Sequence, residues 1–69
     1  MGEQTMVVIN GEKVAAEGIK LTDYLEQEGL AAARIAIEIN EEILPKANYE
    51  KCVLKDGDVV EIVRFVGGG

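Results

Sequence analysis

Sixty-nine residues, 48% of them hydrophobic, make one small domain close to the size at which a core sustains a fold without staples or metal, and leave no room for a large active-site cleft. A single cysteine, Cys52, excludes an intrachain disulfide, and the lack of histidine removes the commonest metal ligand and general base, so zinc, iron–sulfur and Cys-His nucleophile chemistry fail on inventory. Seven Lys and Arg against thirteen Asp and Glu give a formal charge of −6, with the cations scattered singly (Lys13, Lys20, Arg34, Lys46, Lys51, Lys55, Arg64); the balance argues against nucleic acid and for a partner with a basic surface.

The chain opens with a polar leader, 1–5, expected to be loose. Gly2 follows Met1, but Met6 stands where a myristoylation signal needs Ser or Thr. The run Met6, Val7, Val8, Ile9 is rich in β-branched residues, and Asn10-Gly11 after it is a strong hairpin signal, because a type I′ turn needs positive φ at both central positions. The return strand is expected at 12–16. Over 21–28, Leu21, Tyr24 and Leu25 fall at i, i+3, i+4, which places them on one face of a short helix with Asp23, Glu26 and Gln27 opposite and Gly29 as its stop. Ile35, Ile37 and Ile39 alternate with Ala36, Glu38 and Asn40, the period of a half-buried strand.

The segment 42–45 predicts a brief edge strand, since Pro45 cannot donate to a central ladder. A turn of helix at 48–51 is expected to drop Tyr49 and Val53 onto the core, and Asp56, Gly57 and Asp58 mark a tight turn. In the last strand, 59–65, Val60 and Ile62 face the helix while Val63 and Phe65 point away, so the strand is apolar on both faces and a partner is expected to own the second. No apolar run approaches the roughly eighteen residues of a membrane span, and a soluble, cytoplasmic, monomeric chain is expected. The predicted class is α+β, a mixed sheet of four to five strands on one main helix: leader 1–5, domain 6–66, flexible tail 67–69.

The tail Gly67, Gly68 and Gly69 cannot serve a core, because it buries no side chain and its backbone is the most costly to order. Three extended residues reach roughly 10 Å, and without Cβ atoms they could thread a narrow channel in another protein. The Gly69 carboxylate is then the expected working group. Attack on the α-phosphate of ATP would make it an acyl adenylate whose AMP is displaced by a nucleophile. The ATP site must lie in the partner, because no phosphate-binding glycine loop occurs in this sequence.

The opening strand ending at Asn10-Gly11, the helix around Leu21-Thr22-Asp23-Tyr24-Leu25, the run Ala36-Ile37-Glu38-Ile39-Asn40 followed by Ile43-Leu44-Pro45-Lys46, the Asp56-Gly57-Asp58 turn and the ending Glu61-Ile62-Val63-Arg64-Phe65-Val66-Gly67-Gly68-Gly69 occur in an order that resembles one family. It is the sulfur carrier proteins of thiamine biosynthesis (ThiS-like), within the ubiquitin-like β-grasp carriers. The resemblance implies a β-grasp fold and a co-substrate that catalyses nothing alone. It implies an E1-like adenylating enzyme that uses ATP, a sulfurtransferase or cysteine desulfurase that supplies sulfur, and thiazole synthase as recipient from a Gly69 thiocarboxylate. No cofactor is bound by the chain itself. Gly69 is the residue modified, Gly68 and Gly67 its tail, and Val63, Phe65 and Val66 the expected partner contacts. The leader is a departure, since the family usually begins near the position of Met6.

Cys52 reads as a small boundary residue, and the pairs Glu41-Glu42 and Asp56-Asp58 as solvated loop charge. Three other functions stay open: a carrier for molybdopterin, cysteine or thionucleoside synthesis, a modifier that forms isopeptide bonds, and a plain binding module with an incidental glycine tail.

Overall fold

The computed structural model describes residues 6–65, so the expectations for the leader 1–5, for Val66 and for Gly67, Gly68 and Gly69 lie outside the described residues. Strands β1 (Val7–Ile9) and β2 (Glu12–Val14) pair antiparallel around Asn10 and Gly11, whose φ values are 51° and 85°. That is the doubly positive turn the dipeptide predicts. The return strand ends at Val14 instead of running to 16, because the chain folds back: Ala16 N–H donates to the Val14 carbonyl at 2.8 Å and Gly18 N–H to that of Leu54 at 2.7 Å.

Helix α1 (Leu21–Gln27) buries Leu21 and Leu25 and half-buries Tyr24, the face its spacing predicts. A short 3-10 helix (Ala32–Arg34) leads into β3 (Ile35–Ile39), and β4 (Glu42–Ile43) returns beside it. A second 3-10 helix (Lys46–Lys51) precedes β5 (Val59–Arg64). The sheet is mixed, in the order β2-β1-β5-β3-β4. The last strand is therefore the central one. It runs parallel to β1 through Val8↔Val59 and Ile9↔Val60, and antiparallel to β3 from Ile39↔Val60 to Ile35↔Arg64.

Two asparagines with left-handed backbones extend the ladder of β5 beyond its strand partners. Asn10 Oδ1 accepts the Ile62 N–H at 2.8 Å, where β1 has already turned away. Asn40, at φ 54°, accepts the Val59 N–H at 3.0 Å on its Oδ1 and donates from Nδ2 to Asp58 Oδ1 at 3.1 Å. A short amide tolerates positive φ and reaches nearby backbone, which is why asparagine suits both positions. Asp58 Oδ2 also takes the Lys55 N–H at 2.9 Å and Asp56 Oδ1 the Met6 N–H at 2.8 Å. These two carboxylates tie the turn together and are not merely solvated loop charge.

Between sheet and helix lie Val7, Leu21, Ile35, Ile37, Leu54 and Val60, all fully buried. Each such burial contributes roughly 1.5–3 kcal/mol. Tyr49 joins them at 3% exposure, as expected, but Val53 does not: it is 43% exposed, and Leu54 is the inward residue. The cause is an extended stretch. Lys20 bridges Val53, Leu54 N–H donates to the Ile19 carbonyl at 2.9 Å and Leu21 N–H to that of Cys52 at 2.9 Å, so alternation sends Cys52 and Leu54 inward and Val53 out.

The β3–β4 turn places Glu41 at φ 72°, where a side chain costs about 1–2 kcal/mol. Glu41→Gly should relieve this and, after the added freedom of the unfolded chain, stabilise the fold by about 0.5–1 kcal/mol. Urea denaturation would measure it; a loss of stability would show that Glu41 makes a contact worth more than the strain.

Candidate functional site

Alternation along β5 sorts its side chains by face. Val60 is buried and Ile62 half-buried against the helix, while Val59, Val63 and Phe65 are 46%, 56% and 55% exposed. Strand register adds to this open face: Glu61 lies opposite Glu38, and Glu38 opposite Ile43, which at 74% is the most exposed large apolar residue among those described. The face therefore presents Val59, Val63 and Ile43 with Glu38 and Glu61 among them. The outward placement of Val63 agrees with the alternation read from sequence; Phe65, beyond the end of the strand, is also exposed but lines a depression with Gly29 and Leu30, which follow α1, and with the buried Ile35. Ile43 was not singled out as a contact, because a two-residue strand is too short to show a period; an isoleucine two residues before a proline on an edge was the available signal.

At the end of β5 the chain is held from several sides. Phe65 N–H donates to the Arg34 carbonyl at 2.9 Å, prolonging the pairing with β3 past Arg64. Lys46 Nζ donates to the carbonyls of Ala32 (2.8 Å) and Ile35 (2.7 Å) and lies 5.9 Å from the ring centroids of both Tyr49 and Phe65. Arg34 and Arg64 line one shallow depression with Phe65, Gly29 and Leu30. Cations that are scattered singly in the sequence thus gather where the described chain ends. Val66, Gly67, Gly68 and Gly69, which follow, lie outside the described residues.

The described body carries little that could perform chemistry. Among the described residues no group of three or more His, Cys, Asp or Glu stands close enough to hold a metal ion, and no helix is long and apolar enough to cross a membrane. Cys52 is half-buried against the core. Burial pushes its thiol above the ordinary value, Asp58 adds to the shift and Lys55 opposes it. A thiol held protonated is a weak nucleophile, in keeping with a boundary residue. Burial likewise raises the phenols of Tyr24, helped by Glu28 and Glu12, and of Tyr49, opposed by the backbone at Ile37. The arrangement amounts to a firm handle with an apolar face and a cation-lined exit.

Known proteins resemble this chain over most of its length. The model of the ThiS family matches residues 3–69. A sulfur carrier protein ThiS of Thermus thermophilus is 39% identical over 64 residues, covering 93% of this chain and all of that one. A thiazole synthase of Paramagnetospirillum magneticum is 39% identical over 64 residues, 91% of this chain, which spans only 20% of that protein's length. Among solved structures, a thiamine biosynthesis protein (ThiS) from Geobacter metallireducens superposes with a TM-score of 0.72 at 31% identity, over 93% of this chain and 99% of that one. The fold is the β-grasp.

The raised thiol and phenols carry a pH prediction. Each group is neutral when protonated, and in the unfolded chain Cys52 loses its proton near 9.0 and the tyrosines near 10.0, before their folded counterparts. The unfolded state then binds fewer protons, so stability present at lower pH is lost as pH rises through these values. Denaturation midpoints measured from pH 7 to 11 should fall above about pH 9, and Cys52→Ser should make the first part of that fall shallower.

Proposed function

The chain belongs to the ThiS family, and on that premise we propose that it is the sulfur carrier of thiamine biosynthesis, charged at the carboxylate of Gly69. It acts as a carrier and co-substrate; relatives named sulfur carrier proteins support that role over catalysis by the chain itself. In the first step a Gly69 carboxylate oxygen attacks the α-phosphate of ATP, the bond to pyrophosphate breaks, and an acyl adenylate forms. A sulfur nucleophile then attacks the acyl carbon and expels AMP: hydrosulfide leaves a thiocarboxylate directly, whereas the terminal sulfur of a partner's persulfide leaves an acyl disulfide, from which a thiol releases the thiocarboxylate by forming a disulfide with the partner's cysteine sulfur.

The ATP site belongs to an adenylating partner, since the sequence has no phosphate loop of its own. A sulfurtransferase or cysteine desulfurase supplies the sulfur, and thiazole synthase accepts it. A protein named thiazole synthase contains a stretch like this chain, which supports the last pairing. The names of the relatives favour thiamine over molybdopterin, cysteine or thionucleoside synthesis. The setting is cytoplasmic, where such partners and ATP are available.

One observation carries the reading: the central strand of the sheet ends at Arg64, and in sequence only Phe65 and Val66 separate it from Gly67, Gly68 and Gly69. The glycine end thus follows closely, in sequence, a strand that is paired on both of its sides. The apolar face beside it, with Val63 and Phe65, is the surface we assign to the adenylating enzyme. Val66 continues that contact.

Incubation with the adenylating enzyme, ATP and a sulfur donor should add about 16 Da to the C-terminal peptide, one oxygen replaced by sulfur. Deleting Gly69 should abolish the gain while moving stability by no more than about 0.5 kcal/mol. A gain that survives the deletion would place the chemistry elsewhere. Val63→Asp should leave the melting temperature nearly unchanged, because the side chain is exposed, yet raise the KM for activation roughly tenfold by burying a charge in the interface. An unchanged KM would remove Val63 from the contact.

A further inference from the structure

Lys46 stands outside both the core and the open sheet face, yet it touches more separate parts of the chain's end than any other cation described. It opens the second 3-10 helix, directly after Pro45. Two of the three donors of its ammonium are taken by the Ala32 carbonyl at 2.8 Å and the Ile35 carbonyl at 2.7 Å. Those carbonyls flank Arg34, whose own carbonyl accepts the Phe65 N–H at 2.9 Å. The same nitrogen lies 5.9 Å from the ring of Tyr49, which is anchored in the core, and 5.9 Å from the ring of Phe65, which is more than half exposed.

A cation suits this position for a physical reason. It satisfies carbonyls at the 3-10 helix and at the start of β3, which no apolar side chain could do, and it attracts the faces of two aromatic rings. Phe65, otherwise free on its exposed side, is thereby linked through one nitrogen to a buried tyrosine and to the backbone that opens β3. The ring of the last described residue is held by charge and its amide by Arg34.

We propose that Lys46 is a positioning residue for the activation of Gly69: by holding Phe65 it sets the direction in which the chain continues toward its carboxylate. The inference rests on the carrier reading above. Misplacing a reacting group by about 1 Å can cost as much as a hundredfold in rate, so even a modest reorientation at Phe65 is expected to be felt at the nucleotide.

The test uses the full chain with Lys46→Met, Lys46→Arg, Phe65→Leu and the Lys46→Met/Phe65→Leu pair. Pyrophosphate exchange with the adenylating enzyme is measured, together with melting temperature and the amide and Phe65 ring resonances of the free protein. Lys46→Met should lower kcat/KM about tenfold while the protein stays folded at the assay temperature, and Lys46→Arg should recover most of it. In the paired variant the two losses should not multiply, because Lys46 acts through the Phe65 ring. Wild-type kcat/KM in Lys46→Met, or losses that multiply, would overturn the proposal; the latter would mean that Lys46 touches the partner itself. If the wild-type chain gave no exchange at all, the carrier reading would fail instead. The resonances would then decide the positioning role: shifts at Phe65 and beyond in Lys46→Met, reversed in Lys46→Arg, support it, and unchanged resonances refute it.

Discussion

Among the described residues, the long-range pairing between named strands converges on β5, the last strand described and the middle one in the sheet. A central strand must satisfy its backbone groups on both sides, because its position offers little water to take them. Here β3 supplies one side over five register positions, and β1 supplies the other only as far as Val60. The shortfall is made up by side chains. Asn10 takes the Ile62 N–H, and Asn40 takes that of Val59. Both asparagines sit in the left-handed turns of the two hairpins that flank β5, so each turn closes its own hairpin and also grips the strand between them. The pairing of β1 with β5 joins the two ends of the described chain, and the sheet is complete only when the last strand has arrived.

That arrangement matters for the carrier role proposed here. An end that must be presented to another protein's nucleotide gains from firm anchorage of the residues before it. The core holds Val60 at 1% exposure, the Arg34 carbonyl holds the Phe65 amide, and Lys46 lies against the Phe65 ring. The one thiol of the chain is held protonated by burial against the core.

The electrostatic pattern has two parts. The whole chain carries −6, yet Arg34, Lys46 and Arg64 are grouped at the end of β5. The acidic excess keeps a small, half-apolar molecule soluble and acts at long range, within a screening length of about 10 Å at moderate salt. Lys46 acts over hydrogen-bond distances on two carbonyls and at 5.9 Å on two rings. A single net charge therefore does not describe what a partner meets at the exit.

Most of the architecture was legible in the amino-acid order because local physics decides it. Asn10-Gly11 dictates a doubly positive turn, the spacing of Leu21 and Leu25 a one-sided helix, and the alternation of Ile35, Ile37 and Ile39 a half-buried strand. The glycine ending and the missing phosphate loop directed attention to the carboxylate of Gly69 by chemistry alone. What lay beyond reach depended on contacts between distant residues. That Leu54 and not Val53 faces inward follows from a bridge to Lys20, and that Asp56 and Asp58 are ties follows from Met6 and Asn40 arriving beside them. Ile43 joined the open face only through its register with Glu38, and Lys46 came within 5.9 Å of the Phe65 ring only when β3 and β5 came together. Periodicity and turn chemistry are properties of neighbours in sequence, whereas register, side-chain capping and the gathering of charge exist only once the sheet has closed.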